Sequence, residues 1–216
     1  MKKNLALRLG LGLVLLFAIL LLTACAKDGG NSGNSGGDSN SSSTKVTRAV
    51  IKPSQLISRE DAGNIIGQSM TDDKIDSVED EGPGSMRTVY ISDEYIFQIA
   101  VEQDALLNAE TDKLYIQNGG VAGAIERLTD ARETNHFEQD IIPVEGIGDG
   151  GYLVDQNGLG VWSIELYKGD YLITMTITYN PPTEHTRGEE EEVAWRKEKL
   201  HEAGKLAVER LDSIVV

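Results

Sequence analysis

The sequence predicts an α+β domain of two layers, in which helices pack on one face of an antiparallel sheet of about five or more strands. Three observations support this class: strands that alternate apolar and polar residues, tight-turn sequences between them, and flanking segments with helical periodicity. A parallel sheet covered on both faces would show continuous apolar runs instead. The second face of the sheet is therefore expected to meet water.

The first predicted element is a short helix that follows Ser58. Ser58 and Asp61 match a capping box, and apolar residues between positions 62 and 66 share one helical face. Gly67 is expected to end this helix. An acidic loop that contains glycine is expected to follow it, up to about Ser85.

A hairpin and a divided helix are predicted next. Residues 88–91 and 97–102 alternate between apolar and polar side chains, and Asp93-Glu94 between them indicates a tight turn. From Asp104 to about Ala131 apolar residues recur at helical spacings, and Gly119-Gly120 is expected to split this segment into two helices. The expected apolar stripe consists of Leu107, Leu114, Val121, Ile125 and Leu128.

Three further strands are predicted in the second half of the chain. Residues 152–156 lead into Asn157-Gly158, a strong hairpin signal, and residues 161–167 form the returning strand. A turn at residues 168–170 precedes the last strand, which covers residues 171–179.

The last predicted element is a helix from about Glu189 to Ser213. Four consecutive glutamates open it, and their charge favours the positive end of the helix dipole. Its expected buried stripe consists of Val193, Leu200, Gly204, Ala207, Leu211 and Ile214.

Residues 1–24 have the pattern of an export signal. Three basic residues precede an uncharged stretch from Leu9 to Ala24, which has 16 residues. That stretch is shorter than the roughly 18 or more residues expected of a membrane-spanning helix.

The stretch ends in Leu22-Thr23-Ala24-Cys25, which resembles the lipobox of bacterial lipoproteins. The resemblance implies cleavage between Ala24 and Cys25 and attachment of a diacylglyceryl group to the Cys25 thiol. Two acyl chains hold a protein at a bilayer far more firmly than one. The expected location is therefore the extracytoplasmic side of the cell membrane, at the surface of a Gram-positive cell, and a secretory signal with a chance cysteine is the alternative.

Residues 25–51 are predicted to be the lipidated cysteine and a flexible tether, and residues 52–216 a single extracytoplasmic domain. Asp28 to Ser43 consists only of Gly, Ser, Asn and Asp, which cannot bury apolar surface. About 20 such residues reach roughly 22–27 Å. That length is enough to lift a domain clear of the lipid headgroups.

The charge of the chain excludes some classes of partner. The 216 residues include 35 acidic and 20 basic side chains, a formal net charge of −15. Cleavage before Cys25 would leave 17 basic residues and a net charge of −18. Nucleic-acid binding is not expected, because phosphate contacts need clustered Lys and Arg. A single cysteine also excludes an internal disulfide.

Two segments resemble elements of small surface lipoproteins with a PsbP-like domain. They are residues 56–67, which begin Leu56-Ile57-Ser58, and residues 144–152, which end Gly150-Gly151-Tyr152. The same order of elements covers most of residues 52–216. The resemblance implies a fold and carries over no functional residue.

Sequence motifs for cofactor or metal sites are incomplete. Residues 146–151 match the spacing Gly-x-Gly-x-x-Gly, but a strand follows them where a dinucleotide site needs a helix. His201 begins a pattern like that of zinc proteases, but Lys205 stands where the second histidine is required. His136 and His185 are isolated, so no metal and no cofactor is expected.

The water-facing side of the sheet is the candidate binding surface. It is expected to display Thr88, Tyr90, Gln98, Glu165, Tyr167, Thr174, Thr176 and Thr178. The residues selected for contact with a partner are Tyr90, Glu165, Tyr167, Thr174 and Thr176. Tyrosine supplies contact area and a polar tip. An ordinary solvated sheet face, with Thr favoured because it suits strands, is the alternative.

These observations predict a membrane-anchored lipoprotein whose domain is a non-catalytic binding or accessory module of the cell envelope. Its expected partners are the membrane, through the lipid on Cys25, and an unknown protein or small ligand. The alternatives are a surface hydrolase that uses a carboxylate pair not identifiable from sequence, and a structural accessory subunit of an envelope complex.

Overall fold

The computed structural model describes residues 49–78, 82–134, 140–155, 161–180 and 188–215. These residues belong to one compact unit. The predicted signal peptide, the lipobox and most of the tether lie outside the described residues, as do the predicted Asn157-Gly158 turn, His136 and His185.

A seven-stranded antiparallel sheet forms the centre of the described domain. Its strands are β1 (Thr71–Ser77), β2 (Ser85–Ile91), β3 (Tyr95–Gln103), β4 (Ile141–Pro143), β5 (Gly150–Asp155), β6 (Trp162–Lys168) and β7 (Tyr171–Tyr179). They lie in the order β1-β2-β3-β7-β6-β5-β4. Two groups of neighbouring strands, β1–β3 and β4–β7, meet where β3 pairs with β7 from Tyr95–Tyr179 to Gln103–Tyr171. The α+β class and the antiparallel sheet are confirmed.

Five α-helices accompany the sheet in the described residues. They are α1 (Pro53–Leu56), α2 (Arg59–Ile66), α3 (Lys113–Gln117), α4 (Gly120–Thr134) and α5 (Glu189–Ile214). A 3-10 turn at Asp104–Leu106 follows β3. Among these described helices, none combines the length and the apolar character needed to cross a membrane.

The capping box predicted for α2 is confirmed. The Ser58 hydroxyl accepts a hydrogen bond from the Asp61 amide at 3.2 Å, and the Asp61 carboxylate accepts one from the Ser58 amide at 2.8 Å. Gly67 ends the helix with a φ of 79°, a left-handed conformation that suits glycine.

One face of the sheet, the core face, packs against α1, α2 and α5. The buried apolar residues at its centre are Phe97, Ile99, Val101, Ile173, Met175 and Ile177. On α5, Leu200, Ala203, Ala207 and Leu211 are fully buried. A Cβ atom on Gly204 would lie 2.8 Å from Leu166 Cδ1, so glycine lets α5 approach the sheet closely here.

The acidic segment after α2 is a strand, and its prediction as a loop is wrong. β1 pairs with β2 at the edge of the sheet, but its register shifts on both sides of Lys74. Most of its side chains are exposed, so the strand lacks the alternation that reveals strands in a sequence. A bulged, charged edge strand also discourages pairing with other chains.

The divided helix after β3 is confirmed, but its apolar stripe is only partly buried. Asn118 and Gly119 separate α3 from α4, which begins at Gly120, and both glycines have positive φ. Val121 is fully buried, whereas 70% of Leu114 is exposed. Ile214 in α5 was also expected to be buried and is exposed, because it lies at the end of the helix beyond the sheet.

Candidate functional site: the polar face of the sheet

Strand register defines a second face, opposite the core face, that we call the polar face. Gln98 pairs with Thr176, and Glu165 pairs with Thr174, so the side chains of each pair point to one side. The polar and aromatic residues of this face include Gln98, Glu102, Tyr152, Glu165, Tyr167, Thr174, Thr176 and Thr178. Four of the five residues selected from the sequence therefore lie on the expected face: Glu165, Tyr167, Thr174 and Thr176.

Tyr90 and Thr88 belong to the core face, and their assignment to the water-facing side is wrong. Tyr90 pairs with Phe97, is 1% exposed, and donates a hydrogen bond from its hydroxyl to the Ile57 carbonyl at 2.8 Å. Thr88 is fully buried and donates to Asp76 Oδ1 at 3.0 Å. Both side chains bury apolar atoms while a polar tip finds a partner, so they occupy core positions. The pattern in β2 is thus displaced by one residue, which exchanges the two faces.

Helices α3 and α4 cover part of the polar face through polar contacts. Tyr115 donates a hydrogen bond from its hydroxyl to Glu102 Oε2 at 2.9 Å. Arg132 makes two hydrogen bonds with Glu165, from Nε at 2.8 Å and from Nη2 at 2.6 Å. The expectation that water covers this whole face is therefore wrong, because polar side chains on the sheet can hold a helix as well as water.

The buried state of Glu165 follows from its partner Arg132. Glu165 is 6% exposed, so it does not present a free carboxylate to a partner as the sequence suggested. A charge in such a place needs a bidentate partner, and the guanidinium supplies one. The isolated sequence gives no signal for this pair, since the two residues lie 33 positions apart.

The pKa of the Glu102 carboxyl on the polar face and that of its partner Tyr115 are both raised. Burial raises the pKa of the Glu102 carboxyl, the Tyr115 hydrogen bond opposes that rise, and the neighbouring Glu165 charge adds to it. Burial and the Glu102 charge together raise the pKa of the Tyr115 hydroxyl. Because its pKa is raised, the Tyr115 hydroxyl keeps its proton at neutral pH and remains the donor to Glu102.

The accessible part of the polar face lies on the two central strands and on β6. Gln98, Tyr167, Thr174, Thr176 and Thr178 are all partly exposed. Hydroxyl and amide groups both donate and accept hydrogen bonds. This row can therefore bind a polar surface or a small polar ligand through several directional contacts.

A second charged cluster lies between the start of α5 and the sheet. Arg196 donates to Glu192 Oε1 at 2.9 Å, and Tyr95 donates to Glu192 Oε2 at 3.2 Å. The Arg196 guanidinium lies 4.1 Å from the centre of the Tyr179 ring. Glu192 and Arg196 are both buried, so this cluster joins α5 to β3 and β7. Its sequence signal was a Glu and an Arg four residues apart on one helix.

The glycine motif and His201, which partly match cofactor and metal motifs in the sequence, have structural roles in the described part of the chain. Within the described ranges no group of three or more His, Cys, Asp or Glu side chains is placed to hold a metal ion. Residues 146–149 form a turn, with Gly146 at a φ of 74° and Gly148 at 65°, and the motif's last two residues begin β5, so a strand follows as expected. His201 lies partly buried on α5.

Comparison with known proteins assigns no family to this arrangement. No protein-family model matches the chain, and neither a curated protein nor a solved structure shows significant similarity to it. A proposal of function therefore rests on the predicted lipobox and on the polar face.

Proposed function

We propose that the protein is a lipid-anchored extracytoplasmic binding module, whose domain holds a protein or a small ligand near the membrane. Leu22-Thr23-Ala24-Cys25 after an export signal supports the anchor. The row of partly exposed polar side chains on the central strands is the observation that supports binding.

The position of this row suits recognition. Gln98 and Thr176 face each other across β3 and β7, the longest pairing in the sheet, with Thr174 beside them. On the opposite side of these strands, the core face packs against α1, α2 and α5, so the backbone beneath the row is rigid. Groups on rigid strands lose little entropy when they bind, which raises affinity.

A surface hydrolase is the second candidate function. Glu102 and Glu165 are neighbouring carboxylates in different environments, as acid–base catalysis requires. However, Tyr115 already bonds to Glu102, and Arg132 holds both oxygens of Glu165. Because both carboxylates have protein partners beneath α3 and α4, the contacts favour a binding role over acid–base chemistry.

The binding proposal is tested by a substitution at the centre of the row. Thr176→Arg should abolish the chemical crosslinks that the membrane-bound protein forms with its partner, because the longer side chain covers Gln98 and Thr174. Thr71→Arg adds the same charge at the exposed edge strand β1 and is the control. Tyr167→Ala should weaken the crosslinks as well. Equal crosslinking by all variants would remove this role from the polar face.

A separate experiment tests the binding proposal against the hydrolase alternative. Incubation of the full chain with cell-envelope polysaccharide should release no reducing ends above those of a Glu102→Gln variant. Release by the native protein that both Glu102→Gln and Glu165→Gln abolish would favour the enzyme instead.

The anchor is tested at Cys25. Cys25→Ser is expected to move the protein from the membrane fraction to the soluble extracytoplasmic fraction, because no thiol remains to carry the lipid. The native protein should have the mass of a chain that begins at a diacylated Cys25. An intact leader or an unmodified thiol in the native protein would refute the anchor.

A further inference from the structure

Most of the exposed large apolar side chains lie at one end of the sheet. Eight such side chains occur in the described residues, and Ile75 and Ile142 are the two in edge strands. The other six lie where β3 ends and β7 begins, which we call the apolar end. They are Val50, Val78, Leu114, Ile116, Ile214 and Val215.

Hydrogen bonds at the end of β3 place Val50, Leu114 and Ile116 at the apolar end. Ile51 exchanges two hydrogen bonds with the side chain of Gln103, both at 2.7 Å, so Val50 lies beside the last residue of β3. Tyr115 bonds to Glu102, which fixes α3 and its Leu114 and Ile116 at the same strand end.

The remaining members reach this end from the two sides of the sheet. Lys168 closes β6 and lies 3.6 Å from Asp212, so the last turn of α5, with Ile214, is here. In β1, Thr71 pairs with the end of β2 and Ser77 pairs nearer its beginning. Val78, the residue after Ser77, therefore also lies towards the apolar end.

The chain that precedes the described domain leaves from this end. Ala49 and Val50 come directly before Ile51, which Gln103 holds at the end of β3. The 24 residues from Cys25 to position 48 give a typical reach of about 25–30 Å. A lipid on Cys25 would thus keep the apolar end closer to the bilayer than any other part of the domain, at a high effective concentration.

We propose that the apolar end is a membrane-contact surface, which lays Leu114, Ile116 and the neighbouring aliphatic side chains against the lipid bilayer. This inference rests on the proposed lipid anchor. The six side chains are Val, Leu and Ile, which suit hydrocarbon, whereas centres of protein interfaces favour Trp, Tyr and Arg. The tether supplies the proximity, so even modest apolar contacts suffice to orient the domain.

The position of the four glutamates that open α5 agrees with this orientation. Asn180 donates its amide to the Glu94 carbonyl, and Tyr95 bonds to Glu192, so the four glutamates that open α5 lie at the opposite end. β3 has nine residues and separates the two ends by about 30 Å. At about 0.1 M salt, charge repulsion from an anionic bilayer decays within roughly 10 Å. The four glutamates that open α5 are therefore held away from the headgroups.

A dye placed at each end of the domain tests the proposal in the full lipidated chain. Lipidation consumes the single native thiol, so an introduced cysteine can be labelled alone. Gln117→Cys carries an environment-sensitive dye one turn after Leu114, and Asp93→Cys carries it at the opposite end. Vesicles of phosphatidylcholine and phosphatidylglycerol contain a nitroxide-labelled lipid as quencher. We expect quenching at position 117 to be severalfold stronger than at position 93, with a blue-shifted emission.

Two comparisons separate the possible outcomes. Leu114→Ser with Ile116→Ser should abolish most of the quenching at position 117, whereas Ile142→Ser, in the edge strand β4, should leave it unchanged. Equal quenching at positions 117 and 93 on vesicles that carry the protein would overturn the membrane-contact surface and leave the anchor intact. A blue shift without lipid quenching would indicate that a second copy of the protein covers the apolar end, and would overturn the membrane-contact surface too. Failure of the protein to float with the vesicles would instead refute the anchor.

Discussion

The two faces of the sheet are covered by helices that are held in different ways. On the core face, α5 buries Leu200, Ala207 and Leu211 completely. On the polar face, the buried residues of α4 are Gly120, Val121 and Gly123. The polar contacts there are those of Arg132 with Glu165 and of Tyr115, in α3, with Glu102. The contrast teaches that one face is specified by apolar burial and the other by a few directional bonds.

This difference has an energetic consequence. Full burial of a large apolar side chain stabilises a fold by about 1.5–3 kcal/mol, whereas a typical hydrogen bond adds about 1 kcal/mol net. Helix α4 therefore depends on a small number of contacts that can be broken one at a time. We expect α3 and α4 to open locally at a lower free energy than α5.

A substitution in α5 on the core face should lower the free energy of unfolding most. Leu200→Ala should lower the free energy of unfolding by about 2–5 kcal/mol, because it leaves a cavity at a fully buried position. Leu128→Ala, at a partly exposed position of α4, should cost about 1 kcal/mol. Urea unfolding of the full chain in detergent measures both. Equal losses would show that α4 is packed as firmly as α5.

Breaking the main polar contact of α4 should give the next largest effect. Arg132→Met leaves the buried Glu165 carboxylate without the two hydrogen bonds of its guanidinium partner, which should cost about 1.5–3 kcal/mol. Hydrogen exchange should rise in residues 120–134 and change little in α5. Lys199→Met is the matched control, because its contact with Glu202 is exposed and should contribute about 0.5 kcal/mol or less. Hydrogen exchange that rises equally in α4 and α5 would contradict the view that the Arg132–Glu165 contact holds α4 alone.

The same contrast explains which features were predictable from sequence. Strands β3 and β7 alternate cleanly because one face of each packs on the core, and that pattern predicted their existence and the class of the fold. The capping box of α2 is a local signal between Ser58 and Asp61, so it was also predictable. Burial against a single core leaves its period in the sequence.

The missed features depend on contacts between distant residues. Strand β1 has no buried face, so its pairing with β2 leaves no period. Tyr90 is polar by type, but a carbonyl 33 residues away accepts its hydroxyl and makes burial possible. The approach of α4 to the polar face depends on Arg132 and Glu165, which no local pattern connects. The sequence therefore predicted the polar face of the sheet, but not the helices α3 and α4 that cover part of it.

Asp61, in helix α2 on the core face, and Glu102, on the polar face, should give opposite dependences of stability on pH. Burial alone would raise the pKa of Asp61, but hydrogen bonds from Arg210 and Ser58 outweigh it and lower this pKa to about 2. Its stabilising contribution is present above the usual value of 3.8 and is lost as the pH falls towards 2. Because solvent screens the pair, we expect a loss of about 1 kcal/mol. Asp61→Asn should remove this acid-side loss.

Glu102 should act in the other direction. Since burial raises its pKa, the folded protein binds the Glu102 proton more tightly, and stability falls as the pH rises through that raised pKa. Glu102→Gln should remove this fall. Unfolding in urea between pH 2 and pH 8 measures both variants. Identical pH profiles for the native protein and Glu102→Gln would show that its ionisation does not weaken the polar face.

The smallest expected effect compares one residue type on the two faces. Thr176→Ala, at a partly exposed position of the polar face, should change the free energy of unfolding by about 0.5 kcal/mol or less. Thr88→Ala, on the core face, removes a buried hydroxyl that bonds to Asp76 and should cost about 1–2 kcal/mol. A near-zero cost at Thr176 together with lost crosslinking in Thr176→Arg would mean that the polar face is free to serve binding, because folding does not depend on its accessible row. A cost at Thr176 as large as that at Thr88 would instead make the row part of the fold.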